Sequence, residues 1–254
     1  MAQANVIYPA FDKPLSEDPE RSWTLPARYY VDPAIYEAER EKIFFRSWQY
    51  VGHRSQLARP GDFITGYIVD QPVFVVHDRS GALRGYYNVC LHRAHELLKG
   101  NGTLKSAAIT CPYHAWAYDF EGTLRAAPNG KHVKDFNVED FRLTPIRVEV
   151  FAGFVFVNLD PDATPLKEQV GWLEEDLRKH VPGFDDLKLY DTLNFGAFET
   201  KANWKVVVDN YIMLTDEVQG VVRRITPRSV VIRRKNSYSI IIPNAAVVKD
   251  TISN

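Results

Sequence analysis

Cysteine and methionine are nearly missing from this sequence, with 2 of each among 254 residues. Two cysteines cannot staple a chain of this length, which excludes a disulfide framework of the secreted kind and predicts a reducing compartment. Long apolar runs are missing as well: none approaches the ~18 to 20 residues needed to cross a bilayer. Residues 1–15 show neither the positive start nor the apolar stretch of a signal peptide. Charge of one sign is not in excess, since 31 Lys+Arg against 32 Asp+Glu leave a net charge of -1. Such a balance offers no basic stripe to a phosphate backbone. The expectation is a soluble, cytoplasmic protein with no membrane span and no nucleic-acid partner. What the chain does have, 45% hydrophobic and 13% aromatic residues, suffices to bury one or two cores. Its histidines are His53, His77, His92, His95, His114, His132 and His180, and none follows.

Residues 1–28 are proline-rich and irregular. Asp32-Pro33 then offers an N-cap and a first-turn proline to a helix over about 33–45, with Ile35, Tyr36, Ile43 and Phe44 at helical spacing. From Phe63 the pattern predicts short strands at 63–69, 72–77, 83–89, 107–111, 116–118, 124–126 and 146–159. Ser80-Gly81, Asn101-Gly102 and Glu121-Gly122 mark turns between them. After Asp160, Val170, Leu173, Leu177 and Val181 share one face of a helix that Pro182-Gly183 ends. A strand over 190–199 and a helix from Asn203 to Ile212 are expected next. Residues 213–254 differ in composition, with seven basic residues and only three acidic ones, which suggests a boundary near 213. The chain thus reads as α+β in four parts: 1–45, an all-β domain at 46–160, 161–212, and a β-rich tail at 213–254.

The chemistry is concentrated in Cys90-Leu91-His92 and, eighteen residues later, Cys111-Pro112-Tyr113-His114. Two short loops each present one thiolate and one imidazole, and four such ligands make a metal site. Zinc accepts a closed Cys2His2 set. A Rieske [2Fe–2S] cluster also takes two Cys and two His, the histidines replacing thiolates on one iron. Zinc fingers pair like with like, whereas here each loop mixes the two types, as Rieske proteins do; zinc remains the alternative. His95 is not expected to be a ligand, because the set is complete without it.

The wider stretches, Tyr86 through Leu98 and Thr110 through Trp116, resemble the α subunits of Rieske non-haem iron oxygenases. The resemblance extends to Phe44-Phe45-Arg46-Ser47-Trp48, to 153–159 and to Asn203-Trp204-Lys205 with Asp209-Asn210-Tyr211. It implies that Cys90, His92, Cys111 and His114 hold the cluster in a Rieske domain at 46–160. It implies also that 161–212 begins a helix-grip catalytic domain. Subunits of this kind commonly form trimers. An NAD(P)H-dependent reductase or a ferredoxin supplies electrons, which pass through the cluster to a mononuclear Fe(II) in the neighbouring subunit, where O2 attacks an organic substrate. Arg93-Ala94-His95-Glu96-Leu97 looks similar to monooxygenases and demethylases of quaternary amines. Trp116 and Tyr113 would either shield the cluster from water or fill the β core.

Mononuclear iron needs two histidines and a carboxylate. In the family, Asp-Asn-Tyr leads to an acidic residue and then two histidines; here those positions fall on Met213, Asp216 and Val221. The family's distant carboxylate would lie past residue 254. Asp209 remains, and reads as a solvated helix residue. No catalytic residue is therefore expected, and whether the chain is itself an enzyme stays open. The tail, with Gly220-Val221-Val222-Arg223-Arg224-Ile225, Arg228, Ile232-Arg233 and 240–244, looks like the cytoplasmic β domain of small-conductance mechanosensitive channels. Val222, Val230, Ile232, Ile240 and Ile242 could line one buried face there. The expected function is a Rieske oxidoreductase passing electrons toward a mononuclear iron it lacks. The alternative is a ferredoxin-like electron-transfer module or a non-catalytic fusion with a channel-like tail.

Overall fold

A strand such as Val73-Phe74-Val75-Val76, with no polar alternation, is stable only where apolar neighbours cover both faces. All four of these side chains are essentially inaccessible. In the computed structural model, which describes residues 25–187, 202–211, 221–225, 229–233 and 239–243, this segment lies inside a seven-stranded sheet. The chain forms two compact units, 34–194 and the remainder.

The strands of the larger unit are β1 (Gln49–His53), β2 (Asp62–Ile68), β3 (Gln71–His77), β4 (Leu83–Tyr87), β5 (Asn101–Thr103), β6 (Ile109–Thr110), β7 (Ala117–Tyr118), β8 (Leu124–Ala126), β9 (Pro145–Phe151) and β10 (Phe154–Asn158). The large sheet runs β1-β10-β9-β4-β3-β2-β5, and β6-β7-β8 form a second, small sheet. Pairing is antiparallel throughout. Because side chains alternate across a strand, Phe74 and Val76 of β3 enter the core shared with Cys90, Cys111, Trp116 and Tyr118. Val73 and Val75 enter another, with Leu57, Ile64, Ile146, Val155 and Val157. The strand that looked merely apolar thus separates the metal-motif core from a structural one.

Three strand readings change. The single strand expected at 146–159 is a hairpin, β9 and β10, in which Phe151 pairs with Phe154. Its two turn residues, Ala152 and Gly153, have φ 54° and 83°, the left-handed pair a tight hairpin demands. Gly153 is needed twice over, since a Cβ there would lie 2.7 Å from His53 Nε2. Asn101-Gly102, expected as a turn, forms the edge strand β5 against Asp62–Ile64; the left-handed residue is Gly100. Strand β1, which no run of alternation announced, pairs with β10 through a bulge between Tyr50 and Gly52.

Among the helices, α1 (Arg28–Val31) precedes α2 (Pro33–Glu39). The helix expected at 33–45 is α2 continued by a wider turn over Arg40–Phe44, closed by Phe45 N–H on the Arg40 carbonyl at 3.0 Å. Helix α3 (Leu166–His180) bends at Val170, where φ is -133°. Its expected face, Val170, Leu173, Leu177 and Val181, packs on Phe151, Ala152, Leu166 and Phe184.

In the smaller unit, α4 (Trp204–Tyr211) begins where Asn203 Oδ1 accepts from Lys205 N–H at 3.1 Å, a side-chain N-cap. Asn203 Nδ2 donates to the Tyr30 carbonyl at 3.1 Å. The tail forms an antiparallel sheet of β11 (Val221–Ile225), β12 (Ser229–Arg233) and β13 (Ser239–Pro243). Its register pairs Val222 with Ile232, Ile232 with Ile240 and Val230 with Ile242. The strand expected at 190–199 lies outside the described residues. The architecture is α+β, an all-β domain with flanking helices and a β-rich tail. Among the described residues no helix is long and apolar enough to cross a membrane.

Candidate metal centre

Strand β4 delivers the chain to Asn88, and the β6–β7 connection carries the second motif, so both loops grow from paired strands. The two loops repeat one backbone form. Cys90 N–H donates to the His95 carbonyl at 2.8 Å and Ala94 N–H to the Cys90 carbonyl at 2.9 Å; Cys111 N–H donates to the Trp116 carbonyl at 2.7 Å and Ala115 N–H to the Cys111 carbonyl at 3.0 Å. Each loop reverses at an alanine in the left-handed region, Ala94 at φ 54° and Ala115 at φ 57°. The one difference is the histidine offset: two residues past Cys90, three past Cys111.

Cys90 and Cys111 are buried and unbridged. Burial pushes the Cys90 thiol up and the neighbouring Cys111 adds to that, against hydrogen bonds from Tyr118 and the His92 backbone N–H that favour a thiolate. The His92 and His114 rings stand 4.7 Å apart, centroid to centroid, at 71°. Desolvation, followed by the electrostatic influence of His92, Arg93 and His95, lowers the pKa of His114. Its buried Nδ1 has no hydrogen-bond partner. An imidazole with an unused nitrogen, on a loop whose cysteine is buried near a second thiol, is the donor chemistry a metal asks for. Among the described residues no three His, Cys, Asp or Glu side chains gather as a single ion would require. A [2Fe–2S] cluster takes two donors for each iron, which a thiol pair and an imidazole pair can supply.

Two supporting residues were not anticipated. Buried Asn88 donates through Nδ2 to the Leu98 carbonyl at 2.8 Å, while its Oδ1 accepts from Leu97 and Leu98 N–H at 3.1 and 3.0 Å. It thereby closes the first loop at its base. Tyr118 Oη lies 3.4 Å from Cys90 Sγ and accepts from Leu91 N–H at 3.1 Å. An asparagine just ahead of the first cysteine was the only available sign of the former, and its partners are set by tertiary pairing.

Trp116 fills the β core, one of the two readings expected of it. It is buried, stacks on His92 with centroids 5.0 Å apart at 10°, and meets Phe136 and Phe141 edge-on. Tyr113 is 57% exposed and leans on His114 at 3.7 Å, so it is not a core residue. His95 contributes its carbonyl to the loop and sets its ring edge-on to Tyr113 at 5.6 Å. Of the mononuclear-iron positions, Met213 and Asp216 lie outside the described residues. Val221 opens β11, paired with Arg233. Asp209 falls in α4.

Residues 47–137 match the family model of the Rieske [2Fe-2S] domain, and residues 194–254 match that of the mechanosensitive ion channel beta-domain. The chain is 43% identical over 195 residues to the carnitine monooxygenase oxygenase subunit of Escherichia coli (strain K12), covering 77% of this chain and 51% of that protein. The apo crystal structure of the quaternary ammonium Rieske monooxygenase CntA superposes with TM-score 0.69 at 34% identity, covering 89% of this chain and 68% of that one. A second structure of a quaternary ammonium Rieske monooxygenase, described in terms of carnitine oxidation and inter-subunit electron transfer, gives TM-score 0.69 at 37% identity over 83% and 60% of the two chains. The chain spans about half the length of the curated relatives it matches.

Proposed function

The chain belongs to the α subunits of Rieske non-haem iron oxygenases, and from that premise we propose that Cys90, His92, Cys111 and His114 hold its [2Fe–2S] cluster and that the chain carries electrons within an oxygenase assembly. One observation supports this most: two buried thiols near each other and two imidazoles 4.7 Å apart are presented by loops of the same backbone form. Such a cluster, when bound, exchanges one electron at a potential above that of all-thiolate clusters.

The chain's own side chains divide the remaining work. Cys90 and Cys111 bind from the buried side; Tyr118 holds a hydrogen bond at Cys90 Sγ; Asn88 fixes the first loop; Trp116 keeps water from the inner face of His92. His92 is exposed on its other side, and that edge is where electrons enter and leave. A cytoplasmic NAD(P)H-dependent reductase or a ferredoxin supplies them; the family assembles as a homotrimer, but copies of this chain alone would lack the oxygen-activating iron, which has to come from a different chain. The residues at the expected iron positions, Met213, Asp216 and Val221, do not fit that iron. Quaternary amines are the substrate class to test first, following the names of the relatives. The parts are 1–45, the Rieske domain at 46–160, the start of a catalytic domain at 161–212, and the tail. A second reading, a ferredoxin-like module or a non-catalytic fusion, is favoured specifically by the absent histidines and by the channel-type match over 194–254.

The test is low-temperature EPR of anaerobically purified, dithionite-reduced protein with iron and zinc quantified on the same sample. A Rieske signal and about two irons per chain are expected. A colourless zinc protein would overturn the assignment.

A further inference from the structure

We propose that Trp116 is a positioning residue for His92: its buried indole, braced edge-on by Phe136 and Phe141, fixes the plane of the His92 imidazole, so that the two histidines of the centre are unequally held. This rests on the cluster reading above.

An imidazole turns about a broad, roughly two-fold terminal torsion, so the backbone alone leaves its plane loosely set. A parallel flat wall removes that freedom. Trp116 provides one for His92, at 10° and 5.0 Å. The wall is itself anchored, being 8% exposed, with Phe136 at 5.9 Å and 66°, Phe141 at 5.4 Å and 81°, and those two rings stacked on each other at 5.1 Å. The backbone carbonyl of the same tryptophan closes the second loop on Cys111 N–H. One residue therefore links the second loop to the histidine of the first. Among the described residues His114 has no equivalent: its aromatic neighbour Tyr113 is tilted by 33° and lies mostly in solvent. The offset of histidines between the loops produces this inequality, because the position that holds His92 in the first loop holds Tyr113 in the second.

The experiment is pulsed EPR of the reduced full-length protein, reading the nitrogen couplings of the two imidazoles, on wild type, Trp116→Leu, Trp116→Phe and Phe136→Leu, each with its melting temperature. In Trp116→Leu one coupling broadens while the other stays as in wild type, and Trp116→Phe restores the sharp pair. Phe136→Leu, which removes part of the brace, broadens the same single coupling less than Trp116→Leu does. Loss of the cluster from Trp116→Leu alone would support the same role. Two unchanged couplings in Trp116→Leu, or equal broadening of both in Trp116→Leu and Phe136→Leu, would overturn it. A wild type without a Rieske signal would instead sink the cluster reading.

Discussion

In residues 86–118 every ligand type a Rieske cluster needs is present, and the loops that carry them are pinned from below by Asn88 and Tyr118. In residues 203–221 the family's leading residues, Asn203-Trp204-Lys205 and Asp209-Asn210-Tyr211, stand ahead of Met213, Asp216 and Val221. The helix α4 forms all the same, because its start depends on the Asn203 cap rather than on iron. The difference teaches that a helix start is set by its own cap whatever its side chains go on to bind, and that function must be argued from ligands rather than from the helix that carries them.

The sharpest way to break this contrast is to remove one proposed ligand on the first side and the remaining carboxylate on the other. Cys111→Ala should abolish the cluster, with complete loss of its visible absorption, whereas Asp209→Ala should leave iron content and spectrum unchanged. A fall in iron with the second variant would mean that the later segment holds metal after all.

Next in size is the loop base. Asn88→Ala orphans one carbonyl and two N–H groups that now pair with its side chain, at about 1 kcal/mol or more for each buried group. A loss of roughly 3 kcal/mol is expected in denaturant unfolding, with cluster loading reduced; an unchanged midpoint would show that water replaces the amide.

Acid probes the same half without touching the motif. Burial alone would raise the Asp78 carboxyl, but hydrogen bonds from Ser80, Arg84 and the backbone N–H of Ala82 and Ser80 outweigh it and hold the group at about 2, against an ordinary 3.8. A carboxyl depressed in the fold stabilises fully above its unfolded value and loses that contribution as pH falls through the folded one. About 2 kcal/mol should therefore disappear between roughly pH 4 and pH 2. Urea midpoints of the wild type and Asp78→Asn across that window check it, the variant lacking this part of the slope. The smallest effect concerns the two reversals: Ala94→Gly and Ala115→Gly relieve a left-handed alanine, and each should raise stability by about 1 kcal/mol or less, read as a higher melting temperature with the cluster retained.

Much of the cluster half was legible because its signals are local. Two Cys/His pairs of fixed offset named the centre, and the 3.6-residue spacing of Val170, Leu173, Leu177 and Val181 gave the buried face of α3. What was not legible depends on partners far along the chain. Nothing near Asn88 says that it will bind residues 97 and 98. The hairpin at Ala152-Gly153 hid inside an apolar run because alanine, unlike Asn or Asp, is no turn signal, and the need for glycine comes from His53 a hundred residues earlier. Asn101-Gly102 misled in the other direction: a turn dipeptide became edge strand once β2 offered it a partner.

The central claim, a complete cluster site beside a missing mononuclear one, is tested most directly by Mössbauer spectroscopy of the full chain reconstituted with enriched iron. Two inequivalent iron sites in equal abundance, one sulfur-ligated and one imidazole-ligated, with no third component, is the predicted spectrum. A third, high-spin ferrous component in stoichiometric amount beside the two cluster irons of the oxidised protein would contradict it.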